Sequence, residues 1–442
     1  MANKNLELVD VEKPNLYREV FPYTEFPKII FDHQKVEYDI PDKIWITDTT
    51  FRDGQQARPP YTPEQILRIY DLLHKIDGGT GLIRQCEFFL YSKRDRKAVE
   101  LCKERGYRFP EITGWIRAVP ADFKLVSQMG LGETGILTSA SDYHIFLKLR
   151  KTRAEAASAY LDIAKAALDS GVIPRCHFED ITRADYEGFV LPFAGQLLKL
   201  AEEYKKPVKI RLCDTLGFGL PWSGVALPRS VAKLVHGLRR IGVPSEWLEW
   251  HGHNDFHQVL VNAAAAWLYG CSAANAAIFG TGERTGNTPL EALVVEHAQL
   301  KGVTAGVNYA AITELSEYAR KELNIAIPHN YPLVGKDFNV TRAGIHADGL
   351  LKDEEIYNCF DTQKLLHRPV GVAITDKTGA AGIKHWIEAR YQIEIPKHDW
   401  RIAKIKERID AEYLADRVSA ISDEEMFEWI HEAFGGDLPP LR

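Results

Sequence analysis

The 442-residue sequence lacks several features, and each absence excludes a class of protein. No apolar run approaches the roughly 20 residues that a membrane-spanning helix needs. No CxxC pair occurs among the six cysteines, so neither a disulfide framework nor a zinc knuckle is expected. Basic residues are not in excess, because the formal net charge is −6, which gives no electrostatic case for nucleic acid or an anionic membrane. We therefore expect neither as a partner.

The first residues, "MANKNLELVDVEKP", contain no apolar stretch and several acids, so neither a secretory signal nor a transit peptide is expected. The scattered cysteines suit the reduced thiols of an intracellular protein. With 45% hydrophobic and 26% charged residues, the composition is that of a globular protein with a large core. A cytoplasmic location is expected.

From residue 44 onward, short β-like runs alternate with longer amphipathic ones such as 62–76 and 152–171. The predicted strands are 44–50, 82–89, 112–118, 134–140, 173–180, 207–215, 246–254 and 273–280. Eight βα units in about 260 residues predict an α/β fold, a (β/α)8 TIM barrel, because a doubly wound sheet normally has fewer strands.

The rhythm of alternating strands and helices divides the chain into three predicted parts. Residues 1–43, rich in proline, tyrosine and charge, predict an arm that packs on the barrel or on another subunit. Residues 44–305 predict the catalytic TIM barrel, and residues 306–442 predict a mostly helical accessory domain.

Two histidines stand one glycine apart in "WHGHNDFH" (250–257), directly after an apolar strand. Because side chains alternate along a strand, His251 and His253 point to the same side, with no side chain at Gly252 to crowd them. Two imidazoles at a strand end can provide half of a metal site. The motif gains meaning only if other ligands reach the same place.

Polar and ionisable residues follow nearly every predicted strand, at the end where a barrel carries its chemistry. They are Asp48, Arg52, Asp53, Gln56, Glu87, Ser141, His144, Arg175, His177, Glu179, Asp214, Thr215, His251, His253 and Asn254. Two histidines with Asp53 form a mixed nitrogen and oxygen set that suits a divalent cation with open positions for substrate.

Three motifs together resemble one family: "DTTFRDGQQ" (48–56), "HGHNDF" (251–256) and "GTGERTGN" (280–287). The sequence is similar to the metal-dependent barrel enzymes that include isopropylmalate synthases, homocitrate synthases, Re-face citrate synthases and hydroxymethylglutaryl-CoA lyases. The resemblance continues into "AGIHADG" (343–349) and so covers most of residues 44–390.

The resemblance implies a set of metal ligands and catalytic residues. Asp53, His251 and His253 would bind the metal (Mn, Mg, Co or Zn), with Asn287 at or near its coordination sphere. The residues expected in catalysis are Arg52, which would stabilise the developing oxyanion, Glu179, and the accessory-domain pair His346 and Tyr357. In relatives that pair comes from the neighbouring subunit, which implies a homodimer.

The same resemblance implies a substrate site for acetyl-CoA and a 2-oxo acid. The residues expected there are Gln56, Glu87, His144, Arg175, His177 and Thr215. Thr215 matches the threonine that contacts the oxo-acid carboxylate, whereas Glu87 is expected to orient Arg52 as an ion pair. His144 has two open interpretations, substrate contact or structural hydrogen bond.

Arg175 and His177 favour a dicarboxylic oxo acid, because both are cationic or rich in donors. Homocitrate synthases carry an arginine at the position of Arg175, and the bulkier His177 replaces their serine, which favours the shorter oxaloacetate. The expected reaction is condensation of acetyl-CoA with oxaloacetate to citrate. The alternative is that Arg175 pairs with a neighbouring acid and His177 packs, and the isopropylmalate and homocitrate reactions then remain open.

Two further points stay open at this stage. The lyase reaction is disfavoured, since those relatives depend on a cysteine that is absent from "FGTGERTGN" (279–287). That glycine loop itself predicts either a site for a CoA phosphate or a structural turn. The general base is predicted to be Glu179, His346 or a water molecule.

Overall fold

The computed structural model describes residues 6–435 and divides the chain into two compact units, one ending at Asn308 and the other beginning at Tyr309. The first unit is a closed barrel of eight parallel strands that are hydrogen-bonded in chain order. The strands are β1 (Trp45–Asp48), β2 (Ile83–Phe89), β3 (Glu111–Ile116), β4 (Glu133–Ser139), β5 (Ile173–Glu179), β6 (Lys209–Asp214), β7 (Leu248–Gly252) and β8 (Ala273–Ala276). The predicted (β/α)8 fold is confirmed.

A helix follows each strand of the barrel. The helices are α1 (Pro63–Asp77), α2 (Lys93–Glu104), α3 (Phe123–Gln128), α4 (Arg153–Asp169), α5 (Leu191–Tyr204), α6 (Val231–Arg240), α7 (Val259–Leu268) and α8 (Leu290–Lys301). Local sequence fixes the ends of α1: Thr62 and Gln65 form a capping box, and Gly78 ends the helix in the left-handed conformation. Thr152 and Glu155 cap α4 in the same way.

The interior of the barrel is unusually rich in charge. Branched aliphatic side chains normally fill the layers inside such a barrel, yet Arg175, Arg211 and Glu249 are all buried here. Burying these groups is tolerable only because each guanidinium meets carboxylates at hydrogen-bond distance. The core of the barrel is therefore partly an ionic network, and this network reaches the mouth.

The N-terminal arm binds along the outside of the barrel. The Val9 amide donates to the Gly188 carbonyl at 2.9 Å, and the Asp39 amide donates to the Leu268 carbonyl at 3.0 Å. Arg153, which is buried, donates to the Val9 carbonyl and pairs with Asp142 at 2.8 Å. The arm is thus tied to the helical layer from its described start to the first strand.

The second unit is mostly helical and has its own core. Its elements are α9 (Ala311–Glu322), β9 (Val340–Thr341), α10 (Gly344–Lys352), α11 (Thr362–Leu366), β10 (Gly371–Val372), α12 (Ala380–Tyr391), α13 (Trp400–Leu414) and α14 (Asp423–Phe434). Its buried core includes Ile383, Trp386, Ile387, Ile402, Ile409, Met426, Trp429, Ile430 and Phe434. The two short strands pair in parallel.

Two sequence-based exclusions can be compared with the described residues. Between residues 6 and 435, none of the helices combines the length and the apolar character that crossing a membrane requires. Five of the six cysteines are buried, Cys359 is exposed, and all six are free thiols.

Candidate metal centre and active site

Three buried side chains from different parts of the barrel converge at its mouth. Asp53 lies on the short 3-10 turn after β1, His251 lies near the end of β7, and His253 follows it. Each offers a ligand atom, and these atoms all lie within 4.8 Å of one another. An imidazole, imidazole and carboxylate set with this convergence suits a divalent transition metal that keeps open positions.

Hydrogen bonds fix how His251 presents its ring. The side-chain amide of Asn275 in β8 donates to the Thr47 carbonyl at 3.2 Å and to the Thr47 hydroxyl at 3.0 Å. Its Oδ1 therefore faces His251 Nδ1 at 2.8 Å as an acceptor. The proton of the imidazole is held on Nδ1, which leaves the Nε2 lone pair for a cation.

Asp53 is held as a carboxylate by its neighbours. Asn287 donates to it at 2.6 Å, and Arg52 Nη1 lies 3.1 Å away. Burial alone would raise the pKa of Asp53, but the charges of Arg52, His251 and His253 outweigh burial and lower the pKa to about 2. Burial also lowers the pKa of His251 to about 3, so its imidazole is neutral near pH 7. Both groups are thus in the protonation states that bind metal.

Two further buried polar atoms in this cluster, His253 Nδ1 and the acceptor Asn287 Oδ1, have no hydrogen-bond partner within residues 6–435. A buried acceptor without a partner is costly unless something else meets it. Gly282 packs against the same spot, where an added Cβ would lie 2.1 Å from Asn287 Nδ2. The residues present therefore fit a divalent cation bound by Asp53, His251 and His253, with the Asn287 carbonyl oxygen beside it.

Arg52 is fixed beside the cluster by a carboxylate from the next strand. Its Nε donates to Glu87 Oε2 at 2.8 Å, and the same oxygen accepts from Arg211 Nη1 at 2.9 Å. Burial raises the pKa of Glu87, but the charges of Arg211 and Arg52 dominate and hold it well below its usual range. Arg211 in turn donates to Glu249 at 2.9 Å. The expected Arg52–Glu87 ion pair is present.

The structure corrects the expectation for Arg175. It lies near the amino-terminal end of β5, where Nη2 pairs with Glu133 at 2.9 Å and Nη1 with Glu249 at 2.8 Å. Lys209 also pairs with Glu133, at 2.6 Å. Arg175 therefore does not present its guanidinium beside the metal ligands. Alternation along β5 correctly predicted that Arg175 and His177 share one face of the strand. Arg175, two positions before His177, nevertheless lies one layer deeper in the barrel.

His177 lies one layer above Arg175 and is buried. Its Nε2 faces Glu87 Oε1 at a long 3.5 Å. Gly135 on β4 makes room for the ring, since an added Cβ there would lie 2.6 Å from Nε2. Burial lowers the pKa of His177 to about 3, so it is a neutral donor or acceptor at the floor of the mouth.

Glu179 and His144 form a second pair at the mouth. His144 Nδ1 lies 3.0 Å from Glu179, which also accepts from the Ser139 hydroxyl and from Lys148. Burial would raise the pKa of Glu179, but these contacts lower it to about 2. For His144 the structure shows the hydrogen bond that was one of its two predicted roles.

The remaining predicted site residues lie in two places. Thr215 follows β6 and accepts from the Asp180 amide at 2.8 Å through its hydroxyl, while Gln56 is exposed at the end of the turn that carries Asp53. His346 and Tyr357 belong to the second unit, where their rings contact each other in a tilted arrangement, with centroids 4.3 Å apart, and both side chains are exposed.

Sequence reasoning missed two residues that position the site, Arg211 and Asn275. A single asparagine in the otherwise apolar strand "AANA" (273–276) was a usable signal, because a buried amide needs partners. Arg211 is fully buried in "KIRLCD" (209–214), and no local pattern distinguishes it from a surface arginine.

Comparison with known proteins adds to this geometry. The family model described as HMGL-like matches residues 43–318. The chain is 55% identical over 425 residues to the citrate (Re)-synthase of Clostridium kluyveri, which covers 95% of this chain and 94% of that protein. It is 54% identical over 445 residues to the citrate (Re)-synthase of Syntrophus aciditrophicus, covering 99% and 71%. It is 40% identical to the 2-phosphinomethylmalate synthase of Streptomyces hygroscopicus over 430 residues, covering 96% and 97%.

Proposed function

The chain belongs to the HMGL-like family, and on that premise we propose that it is a divalent-metal-dependent acyltransferase that condenses acetyl-CoA with oxaloacetate to give citrate. The observation that carries the proposal is the convergence of Asp53, His251 and His253 beside Arg52, in a chain 55% identical to a citrate (Re)-synthase. The two citrate synthases support the oxaloacetate prediction made from the sequence.

Asp53, His251 and His253 would hold the cation, with Asn287 adjacent. A bound divalent cation would supply Lewis-acid polarisation of the oxo-acid carbonyl. Asn275 orients His251, and Asn287 orients Asp53 through its amide, so the ligand set is arranged before the metal arrives. The cation is proposed to be Mn, Mg, Co or Zn, all of which suit this mixed nitrogen and oxygen ligand set.

Arg52 is proposed to neutralise the alkoxide that forms as the acetyl-CoA enolate adds to the carbonyl carbon. The Glu87 carboxylate holds the guanidinium in place, and Arg211 holds Glu87, so the positive charge needs no rearrangement during the reaction. Water then cleaves the thioester, which releases CoA thiol and citrate.

Removal of a proton from the acetyl methyl group needs a base that is stronger than Glu179. A carboxylate whose pKa is about 2 is a weak proton acceptor near neutral pH. We propose that Glu179 orients His144, and that His346 or a water molecule accepts the proton. Thr215 and Gln56 are proposed to contact the oxo acid from the rim.

The oxaloacetate proposal no longer depends on Arg175, whose guanidinium is engaged by Glu133 and Glu249. It rests on the identity of the relatives, with His177 as the remaining predicted specificity residue, a buried imidazole whose Nε2 faces Glu87 Oε1 at 3.5 Å. We propose that His177 limits the depth of the oxo-acid site.

The test is acetyl-CoA-dependent thiol release with Mn²⁺, run in parallel with oxaloacetate, 2-oxoglutarate, 2-oxoisovalerate and pyruvate, with and without EDTA. We expect turnover that EDTA abolishes and that is selective for oxaloacetate. Selectivity for 2-oxoisovalerate or 2-oxoglutarate would instead assign the isopropylmalate or homocitrate reaction. No thiol release with any acceptor would refute the condensation and make cleavage of hydroxymethylglutaryl-CoA the next assay.

A homodimer in which the partner subunit's His346 and the partner subunit's Tyr357 complete each active site is also proposed. Both side chains are exposed on the second unit and so are free to contact another chain. Mixing inactive Asp53→Asn protein with inactive His346→Ala protein tests this directly. Recovery of about a quarter of wild-type activity on mixing would support shared sites, and no recovery after subunit exchange would refute them.

A further inference from the structure

A cavity of about 200 Å³ lies at the rim of the barrel mouth, where the N-terminal arm crosses the loops that follow β4, β5, β6 and β7. Its lining comes from the arm (Arg18, Phe21, Tyr23, Glu25 and Pro27) and from the loops (Tyr143, Arg183, Phe218 and Phe256). Segments that follow barrel strands line the catalytic face. The cavity therefore opens on the face that carries the metal ligands, and Phe256 follows His253 by three residues.

Aromatic rings form most of the cavity wall. Phe21 and Phe218 lie with centroids 4.9 Å apart, and Phe218 and Phe256 lie 5.6 Å apart. The Arg183 guanidinium stacks 3.8 Å over the Tyr143 ring. Tyr23, which also lines the cavity, is 91% exposed, so its ring is accessible to a ligand. Flat aromatic and guanidinium faces are the surfaces on which a nucleobase stacks.

Charge at the cavity adds a second feature. Arg183 is engaged by Asp180 at 2.9 Å, so its charge is already balanced. Arg18 donates to the Phe21 carbonyl at 3.5 Å and lies 5.7 Å from the Tyr143 ring, and within residues 6–435 no carboxylate pairs with it. Glu25 also lines the cavity but forms no ion pair with Arg18 in the described part of the chain, so a guanidinium beside aromatic rings remains for a phosphate that is attached to an aromatic base.

We propose that this cavity binds the adenine nucleotide of the acyl-CoA co-substrate, with the base on the aromatic wall and a phosphate on Arg18. This inference rests on the proposed function, which supplies acetyl-CoA as the co-substrate. The arm residues that line the cavity precede the segment 43–318 that the family model matches. The arm side of the proposed nucleotide site therefore lies outside the part of the chain that the family model covers. Binding the remote nucleotide would add affinity that positions the thioester at the metal.

The first test measures binding of adenosine 3′,5′-bisphosphate by calorimetry to the wild type, Arg18→Ala and Tyr23→Ala. The control is Lys35→Ala, which removes an exposed arm cation outside the cavity. We expect Kd to rise at least about tenfold in Arg18→Ala, as for a lost charge-assisted hydrogen bond, and by a smaller factor in Tyr23→Ala, with no change in Lys35→Ala. No binding to the wild type, or equal binding to the wild type and Arg18→Ala, would overturn the proposal.

The second test separates the nucleotide from the chemistry. S-acetyl-N-acetylcysteamine carries the acetyl thioester without the nucleotide, so Arg18→Ala should raise KM for acetyl-CoA and leave turnover of the short thioester unchanged. Equal losses with both thioesters would overturn the proposal. If the bisphosphate binds as expected but the wild type releases no thiol with any oxo acid, the proposed condensation fails while the nucleotide site stands.

Discussion

The two ends of the barrel interior both carry buried charged and polar side chains, but the two ends arrange these side chains differently. At the amino-terminal end, Arg175, Glu133, Glu249 and Lys209 are joined to one another by ion pairs of 2.6 to 2.9 Å. At the mouth, Asp53, His251 and His253 instead bring three ligand atoms within 4.8 Å of one another.

This difference shows how a site is told apart from a structural network in the same barrel. A buried charge that meets its counter-charge needs nothing more from outside the protein. Two imidazoles that converge on one carboxylate instead present lone pairs that a divalent cation can bind. Glu87 pairs with both Arg211 and Arg52, and so links the ion pairs inside the barrel to the mouth. The ion-pair network therefore holds Arg52 in position beside the proposed metal ligands.

The largest effect on turnover is expected from substituting a proposed metal ligand at the mouth. Asp53→Asn removes the one carboxylate of the triad, so turnover of acetyl-CoA with oxaloacetate should fall by about 10³-fold, as for loss of a principal electrostatic contribution. Steady-state kinetics with added Mn²⁺ measure this fall. The unfolding midpoint without metal should stay near that of the wild type, and a large loss of stability there would place Asp53 with the structural network instead.

Removing a cation from the ion pairs at the amino-terminal end should lower the stability of the protein more than it lowers turnover. Arg175→Met leaves Glu133 with Lys209 as its remaining cation and Glu249 with Arg211, so we expect a loss of about 3 kcal/mol in the free energy of unfolding, measured with urea. Turnover per folded chain should stay within a few-fold of the wild type. As a matched control, Arg105→Met breaks an exposed pair with Asp71 and should change stability far less. A selective loss of oxaloacetate turnover in Arg175→Met would restore its predicted substrate role.

A smaller effect is expected from the residue that orients a ligand. Asn275→Ala removes the acceptor of the His251 Nδ1 proton, so metal affinity should fall by about 10 to 100-fold. Competition with a fluorescent chelator measures the affinity. Asn275→Asp keeps an acceptor for the same proton and should bind metal more tightly than Asn275→Ala. Equal affinities for the two variants would show that the hydrogen bond does not control the ligand.

The smallest effect is a shift in acid stability. Burial raises the pKa of Glu133, but Arg175 and Lys209 outweigh burial and lower it below its ordinary 4.5. The stabilisation is therefore complete above about pH 4.5 and is lost as pH falls through the lowered pKa of the folded state. Arg175→Met removes one of these cations, so its acid unfolding should begin at higher pH than that of the wild type, as followed by circular dichroism. Coincident acid transitions would contradict the pairing.

The fold could be predicted from alternation alone, because strand and helix periods are local properties of the sequence. The predicted strand 173–180 and helix 62–76 nearly coincide with β5 and α1. The predicted eighth strand ended late, since residues 278–280 turn at Phe279, which has a positive φ of 52°. A single residue with positive φ within an apolar run leaves no sequence signal from which the end of the strand could be predicted.

The convergence of Asp53, His251 and His253 could be predicted because each follows a strand, and strand ends of a barrel meet at one face. The depth of Arg175 could not, since alternation gives the face of a strand but not the layer at which a side chain meets its neighbours. Layer depth depends on the register of β5 with its neighbours β4 and β6, and that register is a property of the closed barrel.

The most direct test of the difference between the two ends is Mn²⁺ binding, measured by electron paramagnetic resonance of the free ion, in three proteins. The wild type and Arg175→Met should each bind Mn²⁺ at a single tight site, and Asp53→Asn should bind it at least about 10²-fold more weakly, because among the described residues the convergent ligand set is Asp53, His251 and His253. Unchanged binding in Asp53→Asn, or lost binding in folded Arg175→Met, would contradict the assignment of the metal centre to the mouth.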